Sequence, residues 1–231
     1  LSIIKAVPTV LLVRHGQASF GAEDYDVLSA VGVRQSELLA EALGRRGIVP
    51  TRLIAGSMRR QIETAAAFAA HGETSVDPRW DEYDPNAVLS HHSLTDLRLD
   101  GPQERPREGM TSREFQAVLD PALRAWIEAG DSAPGAHTWT SFAAAGAAAL
   151  AELRDQLGSG ETVIVFTSGG TIAAVCAALL DAPEAAFPAL NRGMVNTGVS
   201  KIVIGAAGTT LISFNDHSHL EEADRSLITY R

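Results

Sequence analysis

A chain of 231 residues with 45% hydrophobic and 20% charged side chains is ordinary for a globular protein and long enough to bury a substantial core. Its net charge of −9 argues against nucleic acid or an anionic membrane surface as the main partner, yet a local cluster of arginines would still hold a small anion. The single cysteine, Cys176, excludes an internal disulfide framework and a cysteine-rich zinc site, and no apolar run reaches the ~18 residues of a membrane span.

The opening "LSIIKAVP" lacks a basic region followed by an apolar one, so no signal peptide is expected and the cytoplasm is the default location. Val10–Val13 is too apolar to have a solvated face and reads as a buried parallel strand. Ser29 is placed to cap a helix over 30–46, with Val31, Leu38, Leu39, Ala42 and Leu43 on one stripe and Gly44 or Gly47 at its end. Arg52–Ala55 is a short second strand. A helix follows Ser57, with Ile62, Ala65, Ala66 and Ala69 expected on its buried side.

From about Trp80 to Pro134 the alternation stops and proline becomes frequent. One helix is legible there, because Thr111 and Glu114 fit a T-x-x-E capping box ahead of Phe115, Val118, Leu119 and Trp126. Alternation resumes with a helix carrying Trp139, Phe142, Gly146, Leu150, Leu153 and Leu157, then a buried strand Thr162–Phe166. Ile172, Val175, Cys176 and Leu179 mark the next helix, on which Cys176 is a small core residue rather than a nucleophile. Val199–Ile204 and Thr209–Phe214, joined by "GAAG", form a closing hairpin. The expected fold class is α/β: a three-layer sandwich, a mostly parallel central sheet with helices on both faces. It is one domain over 1–231, with a helical insertion at about 84–137 over the active-site end.

In open α/β sheets, ligands collect at the carboxyl ends of the strands. Three such ends are chemically unusual here: Arg14-His15-Gly16-Gln17, Gly56-Ser57 leading into Arg59-Arg60, and Thr167-Ser168-Gly169-Gly170. Guanidinium forks bind phosphate oxygens bidentately, and helix N-termini add backbone donors. A histidine among them can take a proton or act as a nucleophile.

"LLVRHGQ" resembles the signature of the histidine phosphatase superfamily, the phosphoglycerate-mutase-like enzymes. "LSAVGVRQSELLAEAL" is similar to the family's L-[ST]-x-x-G-x-x-Q-A helix start. "GSMRRQIETA" is similar to its S-x-L-x-R-A-x-x-T-A segment, and "RWDEYD" stands where an L-x-E segment is usual. The likeness covers about residues 8–83 and 160–214. It implies that His15 is the nucleophile that becomes phosphohistidine, and that Arg14 and Arg60 hold the phosphoryl group. Arg60 is preferred to Arg59 because it stands four residues before Thr64. Glu82 becomes the acid that protonates the leaving oxygen and then helps to activate water. Where the family carries a histidine in an [ST]-H-G loop, this chain has Ser168, which supplies one hydroxyl hydrogen bond but no positive charge. Gly169 and Gly170 offer N–H groups, and Gln17 and Ser19 are candidates to face the phosphate.

The resemblance implies a cofactor-free, metal-independent phosphomonoesterase, because positioned cations do most of the work of phosphoryl transfer. The expected partners are a small phosphorylated substrate and inorganic phosphate, with no nucleic acid, no membrane, and a homodimer left open. Two alternatives stand beside it: phosphoglycerate-mutase-type phosphoryl transfer, and a non-catalytic phospho-ligand-binding protein weakened by Ser168. His217 and His219 read as structural or solvated histidines, with a His–Asp–His metal site at 216–219 as the weaker reading. His91, His92, Arg98, Arg105, Arg107 and Arg113 in the insertion either line the pocket mouth or face water. Glu23, Asp24 and Asp26 read as a solvated acidic loop, and Trp80, Trp126 and Trp139 as core anchors.

Overall fold

A computed structural model describes residues 7–19, 26–90, 112–132 and 137–230. The expectations for Glu23, Asp24, His91, His92, Arg98, Arg105, Arg107 and Thr111 fall outside these residues. In chain order the main elements are β1 (Thr9–Arg14), α1 (Ala30–Arg45), β2 (Arg52–Ala55), α2 (Arg59–Ala66), β3 (Thr74–Val76), α3 (Pro85–Ser90) and α4 (Ser112–Ala129). They continue with α5 (Trp139–Gln156), β4 (Thr162–Thr167), α6 (Gly169–Leu179), α7 (Pro183–Arg192), β5 (Val199–Gly205), β6 (Gly208–Asp216) and α8 (Ser218–Ala223).

The six strands form one sheet in the order β3-β2-β4-β1-β5-β6. The first four run parallel, with β2 and β1 both paired to β4, whereas β5 and β6 are antiparallel additions. The sheet is therefore mixed, and its parallel half carries the three unusual strand ends to one edge. Arg14 sits opposite Thr167, and Ala55 opposite Phe166.

Successive side chains of β1 serve opposite layers, as the period of two requires. Val10 and Leu12 pack with α5 and α6 through Leu150, Leu153, Ile172 and Val175. Leu11 and Val13 pack with α1 through Leu39 and Leu43, with α2 through Ala65, and with Phe68 just after it. All four β1 residues are buried, which stabilises the fold by about 1.5–3 kcal/mol each. Cys176 is fully buried in the α6 layer, and burial pushes its thiol up to about 12, in keeping with a core role.

Helix α4 joins helices rather than the sheet: Leu119, Ala122, Leu123 and Trp126 pack against Trp139, Ala173, Ala177 and Phe187. All three tryptophans are buried as expected. The buried side of α2 differs from its apolar reading. Ile62, Ala66 and Ala69 are exposed, while Arg60, Gln61, Thr64 and Ala65 are buried. This helix turns a polar face inward because that face adjoins the ends of β1 and β4, where backbone groups need partners.

Candidate active site

Strand β1 delivers Arg14 and His15 from the sheet interior to its carboxyl edge. Every backbone polar group from Arg14 to Gln17 is then taken up. The Arg14 N–H donates to Gly198 O (3.1 Å), and its carbonyl accepts from Thr197 N (3.1 Å). The His15 N–H donates to Thr167 O (2.8 Å), and its carbonyl accepts from Asn196 Nδ2 (3.1 Å). Gly16 N donates to Thr64 Oγ1 (2.9 Å), and Gln17 N to Gln35 Oε1 (2.8 Å). The Gly16 carbonyl accepts from His15 Nδ1, and the Gln17 carbonyl from Ser29 N.

Gly16 has a steric reason to be glycine. A Cβ there would lie 2.5 Å from Gly32 O, and a Cβ on Gly32 would lie 2.2 Å from Gln17 O. The loop backbone and the first turn of α1 touch with no side chain between them. Ser29 caps that helix by accepting from Gly32 N, as the sequence suggests.

The imidazole of His15 is 5% exposed. Its Nδ1 bonds to the Gly16 carbonyl at 2.7 Å, and a carbonyl can only accept, so Nδ1 carries the proton. Nε2 is left with its lone pair, which accepts from Arg60 Nε at 3.2 Å. Burial, then the Arg60 and Arg14 cations, hold the imidazole well below the usual histidine range, against the opposing pull of the Gly16 bond. At neutral pH the ring is thus uncharged and of fixed tautomer, set beside two cations.

Arg60, 6% exposed, is held by Asp26 Oδ1 at 2.5 Å and Met58 Sδ at 3.0 Å. The other oxygen of Asp26 accepts from Arg59 N (2.8 Å). Two expectations change here. Asp26 is a partner of Arg60 rather than part of a solvated acidic loop, and the first N–H of α2 is engaged by that carboxylate. Nothing in the sequence links positions 26 and 60. Arg14 is tied through one terminal nitrogen to the carbonyls of Met194 and Tyr230.

Glu82 approaches from the segment after β3. Trp80 O accepts from Thr167 Oγ1, Asp81 O accepts from Thr171 Oγ1 (2.6 Å), and the Asp81 carboxylate binds Ser57 N and Oγ (both 2.5 Å). The ring of Tyr83 packs 5.7 Å from both Trp126 and Phe142. Glu82 Oε2 accepts from Gly170 N at 3.0 Å, and Oε1 from Tyr83 N at 3.2 Å. A Cβ at Gly170 would stand 2.2 Å from Glu82 Oε1, so that glycine makes the space for the carboxyl group. The Gly170 N–H is consequently committed to Glu82, not available as an anion donor. Burial raises the Glu82 carboxyl above its ordinary value, although the Gly170 bond and the two arginines pull the other way. A carboxyl group that holds its proton above the usual carboxylate range suits an acid.

Ser168 is fully buried as the N-cap of α6, and its Oγ accepts from Gln61 Nε2 (2.8 Å). Gly169 lies beside the guanidinium, a Cβ there being 3.5 Å from Arg14 Nε. Gln17 shares the His15 loop, and its Oε1 accepts from Ser29 Oγ (2.9 Å). Ser19 lies further along, its N–H on Val27 O. His219 is buried, paired with Thr197 Oγ1 at 2.9 Å, and desolvation pushes it down to about 4; His217 Nδ1 bonds to Asn215 O (2.7 Å). Among the described residues, no three His, Cys, Asp or Glu side chains stand together to hold a metal ion, and no helix is long and apolar enough to cross a membrane.

The sequence and the fold both have counterparts among known proteins. The sequence matches the histidine phosphatase superfamily (branch 1) over residues 10–105 and 98–217. It is 30% identical over 204 residues to a glucosyl-3-phosphoglycerate phosphatase of Mycolicibacterium vanbaalenii, covering 82% of this chain and 81% of that one. A glucosyl-3-phosphoglycerate phosphatase of Mycobacterium tuberculosis is 28% identical over 208 residues, 84% of each chain. The solved complex of a mycobacterial glucosyl-3-phosphoglycerate phosphatase with inorganic phosphate superposes with a TM-score of 0.64 at 26% identity, covering 91% of this chain and 98% of that chain.

Proposed function

The chain belongs to the histidine phosphatase superfamily (branch 1), and from that premise we propose that its hydrolysis of phosphomonoesters runs through a covalent phosphohistidine on His15. The observation that carries this reading is the His15 ring itself: proton fixed on Nδ1, lone pair on Nε2, a guanidinium 3.2 Å away. In the first step Nε2 forms a bond to phosphorus while the bond from phosphorus to the ester oxygen breaks. Glu82 gives its proton to the departing oxygen. In the second step water attacks phosphorus, Glu82 takes back a proton, and the P–N bond breaks to restore neutral His15. Arg60 releases the Nε2 lone pair and, with Arg14, meets the charge on the equatorial oxygens. Gly169 and the Gln17 amide flank the same oxygens, and Ser168 stands in this loop as a neutral residue.

A glucosyl-3-phosphoglycerate-like ester leads the substrate panel because the mycobacterial relatives carry that activity in their names. Substrate selectivity is assigned to the insertion at about 84–137, with the cytoplasm as the proposed location and phosphate as the product held by the two arginines. The test is phosphate release from glucosyl-3-phosphoglycerate, simple sugar phosphates and p-nitrophenyl phosphate, with and without EDTA. Release insensitive to EDTA is the expected result; no release from any ester would overturn the proposal. Conversion of 3-phosphoglycerate with a diphosphoglycerate primer, outpacing hydrolysis, would move the assignment to mutase chemistry.

Ser168 bears on how complete this site is. Losing one preorganised donor costs ~10²–10³ in rate, so Ser168→His ought to rescue a merely damaged pocket. Here Ser168 is fully buried and its hydroxyl meets the amide of Gln61, itself fully buried. An imidazole must displace that amide, and overpacking costs about 1–3 kcal/mol. No large gain is therefore expected from Ser168→His. A hundredfold rise in kcat would show that the site is a degraded one.

A further inference from the structure

We propose that Gln35, Thr229 and Asn196 form a hydrogen-bonded relay that positions the nucleophile loop from the segment Leu227–Tyr230. Gln17 N donates to Gln35 Oε1 (2.8 Å), and Gln35 Nε2 donates to Thr229 Oγ1 (2.8 Å). The Thr229 hydroxyl donates to Asn196 Oδ1 (2.9 Å), and Asn196 Nδ2 donates to the His15 carbonyl (3.1 Å). The polarity is fixed from end to end: a backbone N–H at one end and a carbonyl at the other settle both amide orientations. The hydroxyl between them is the link that both accepts and donates. The relay grips the loop on both sides of Gly16, and Gln35 and Asn196 are fully buried.

Two further observations bind the same segment to the site. Thr229 O accepts from Asn196 N (2.9 Å), and Tyr230 O accepts from Arg14 Nη1 (2.8 Å). Beside Asn196, Thr197 holds φ = 58°, a left-handed conformation that a β-branched residue rarely adopts. Such strain persists only where the surroundings over-determine it. Here Thr197 N bonds to Arg14 O, and Oγ1 bonds to Asn196 O (2.7 Å) and His219 Nε2 (2.9 Å). That turn brings the Asn196 amide under the His15 carbonyl. None of these residues contacts the phosphoryl group in this scheme; they act through His15 and Arg14.

The inference rests on the reading of His15 as nucleophile, and its test separates the two. Thr229→Val removes the hydroxyl at nearly constant shape, whereas Thr229→Ser keeps it. With both proteins shown folded by circular dichroism, Thr229→Val should lower kcat on p-nitrophenyl phosphate about 10–100-fold, the cost of an ångström-scale misplacement, with KM unchanged. Single-turnover phosphohistidine formation should fall by the same factor, and Thr229→Ser should stay near wild type. Should Thr229→Val fail to fold, Gln35→Met opens the relay from the other side and is expected to show the same loss confined to kcat. Wild-type kcat in a folded relay variant, or equal loss in Thr229→Ser, would overturn the inference. His15→Ala is run alongside: turnover surviving there sinks the reading of His15, while turnover lost there but intact in Thr229→Val sinks the relay alone.

Discussion

His15→Ala should lower turnover of p-nitrophenyl phosphate by roughly 10⁴–10⁶-fold, the scale seen when a nucleophile or its activating partner is removed from a hydrolase. The loss is expected to be chemical rather than structural. The imidazole makes two hydrogen bonds, to Gly16 O and from Arg60 Nε, and the backbone bonds of residues 14–17 that hold the loop survive without it, except the one from Nδ1. Arg14 and Arg60 remain, so vanadate should still bind the variant. Wild-type protein quenched during turnover of a labelled ester should carry acid-labile, alkali-stable phosphate, and the variant none. Because burial and two cations depress the imidazole, the acid limb of the wild-type pH profile should lie well below the ordinary histidine value of 6.5. Unreduced turnover in His15→Ala would remove the covalent mechanism altogether.

Glu82→Gln should separate substrates by leaving group. An alkoxide needs a proton as it departs, and a positioned acid contributes about 10²–10⁴-fold, whereas an activated aryl oxide leaves nearly unaided. Sugar-phosphate hydrolysis should therefore fall by that order, and p-nitrophenyl phosphate hydrolysis far less. The pH dependence supplies a second reading. Burial raises the Glu82 carboxyl, so the acid form persists above the usual carboxylate range and is lost as pH rises through the raised value. Alkyl-ester hydrolysis should decline on that basic side in the wild type, and the decline should vanish in Glu82→Gln. Glutamine keeps one acceptor oxygen, for Gly170 N at 3.0 Å, and gives up the longer bond from Tyr83 N at 3.2 Å, while the Trp80, Asp81 and Tyr83 contacts still hold the segment. Equal losses on both substrate classes would assign Glu82 to positioning and leave the acid to another group.

What the sequence made legible follows from which forces act locally. Strand β1, the cap at Ser29, the α5 stripe and the β5–β6 hairpin each declare themselves through apolar period or turn residues, and each is present. Arg14 and His15 stand out because charged residues directly ending a buried strand are rare, whereas Arg60 is told from Arg59 only by the family resemblance, through its spacing to Thr64. The α2 face misled because the buried side of that helix is polar: apolar periodicity picks out Ile62, while the interior takes Gln61 and Thr64. Asp26, Gln35, Asn196 and Thr229 were not legible either. Their significance comes from partners 18 to 194 residues away, and isolated asparagines and aspartates usually mark turns. Helix α7 carries Pro183 and Pro188, and β3 is three residues with two of them exposed, so neither has a pattern to read.

The contact between Gly16 and Gly32 acts as a key and keyway. A helix packed on a loop through side chains can rotate or slide by a residue and find another fit. Here the only backbone-to-backbone seat is Gly32, flanked by Val31 and Val33, so a shift of α1 by one position in either direction would drive a valine into the Gln17 carbonyl. The axial placement of α1 against the His15 loop is thereby indexed to one residue. A single insertion between Ser29 and Gly32 would uncouple the cap from the seat and misfile the whole helix.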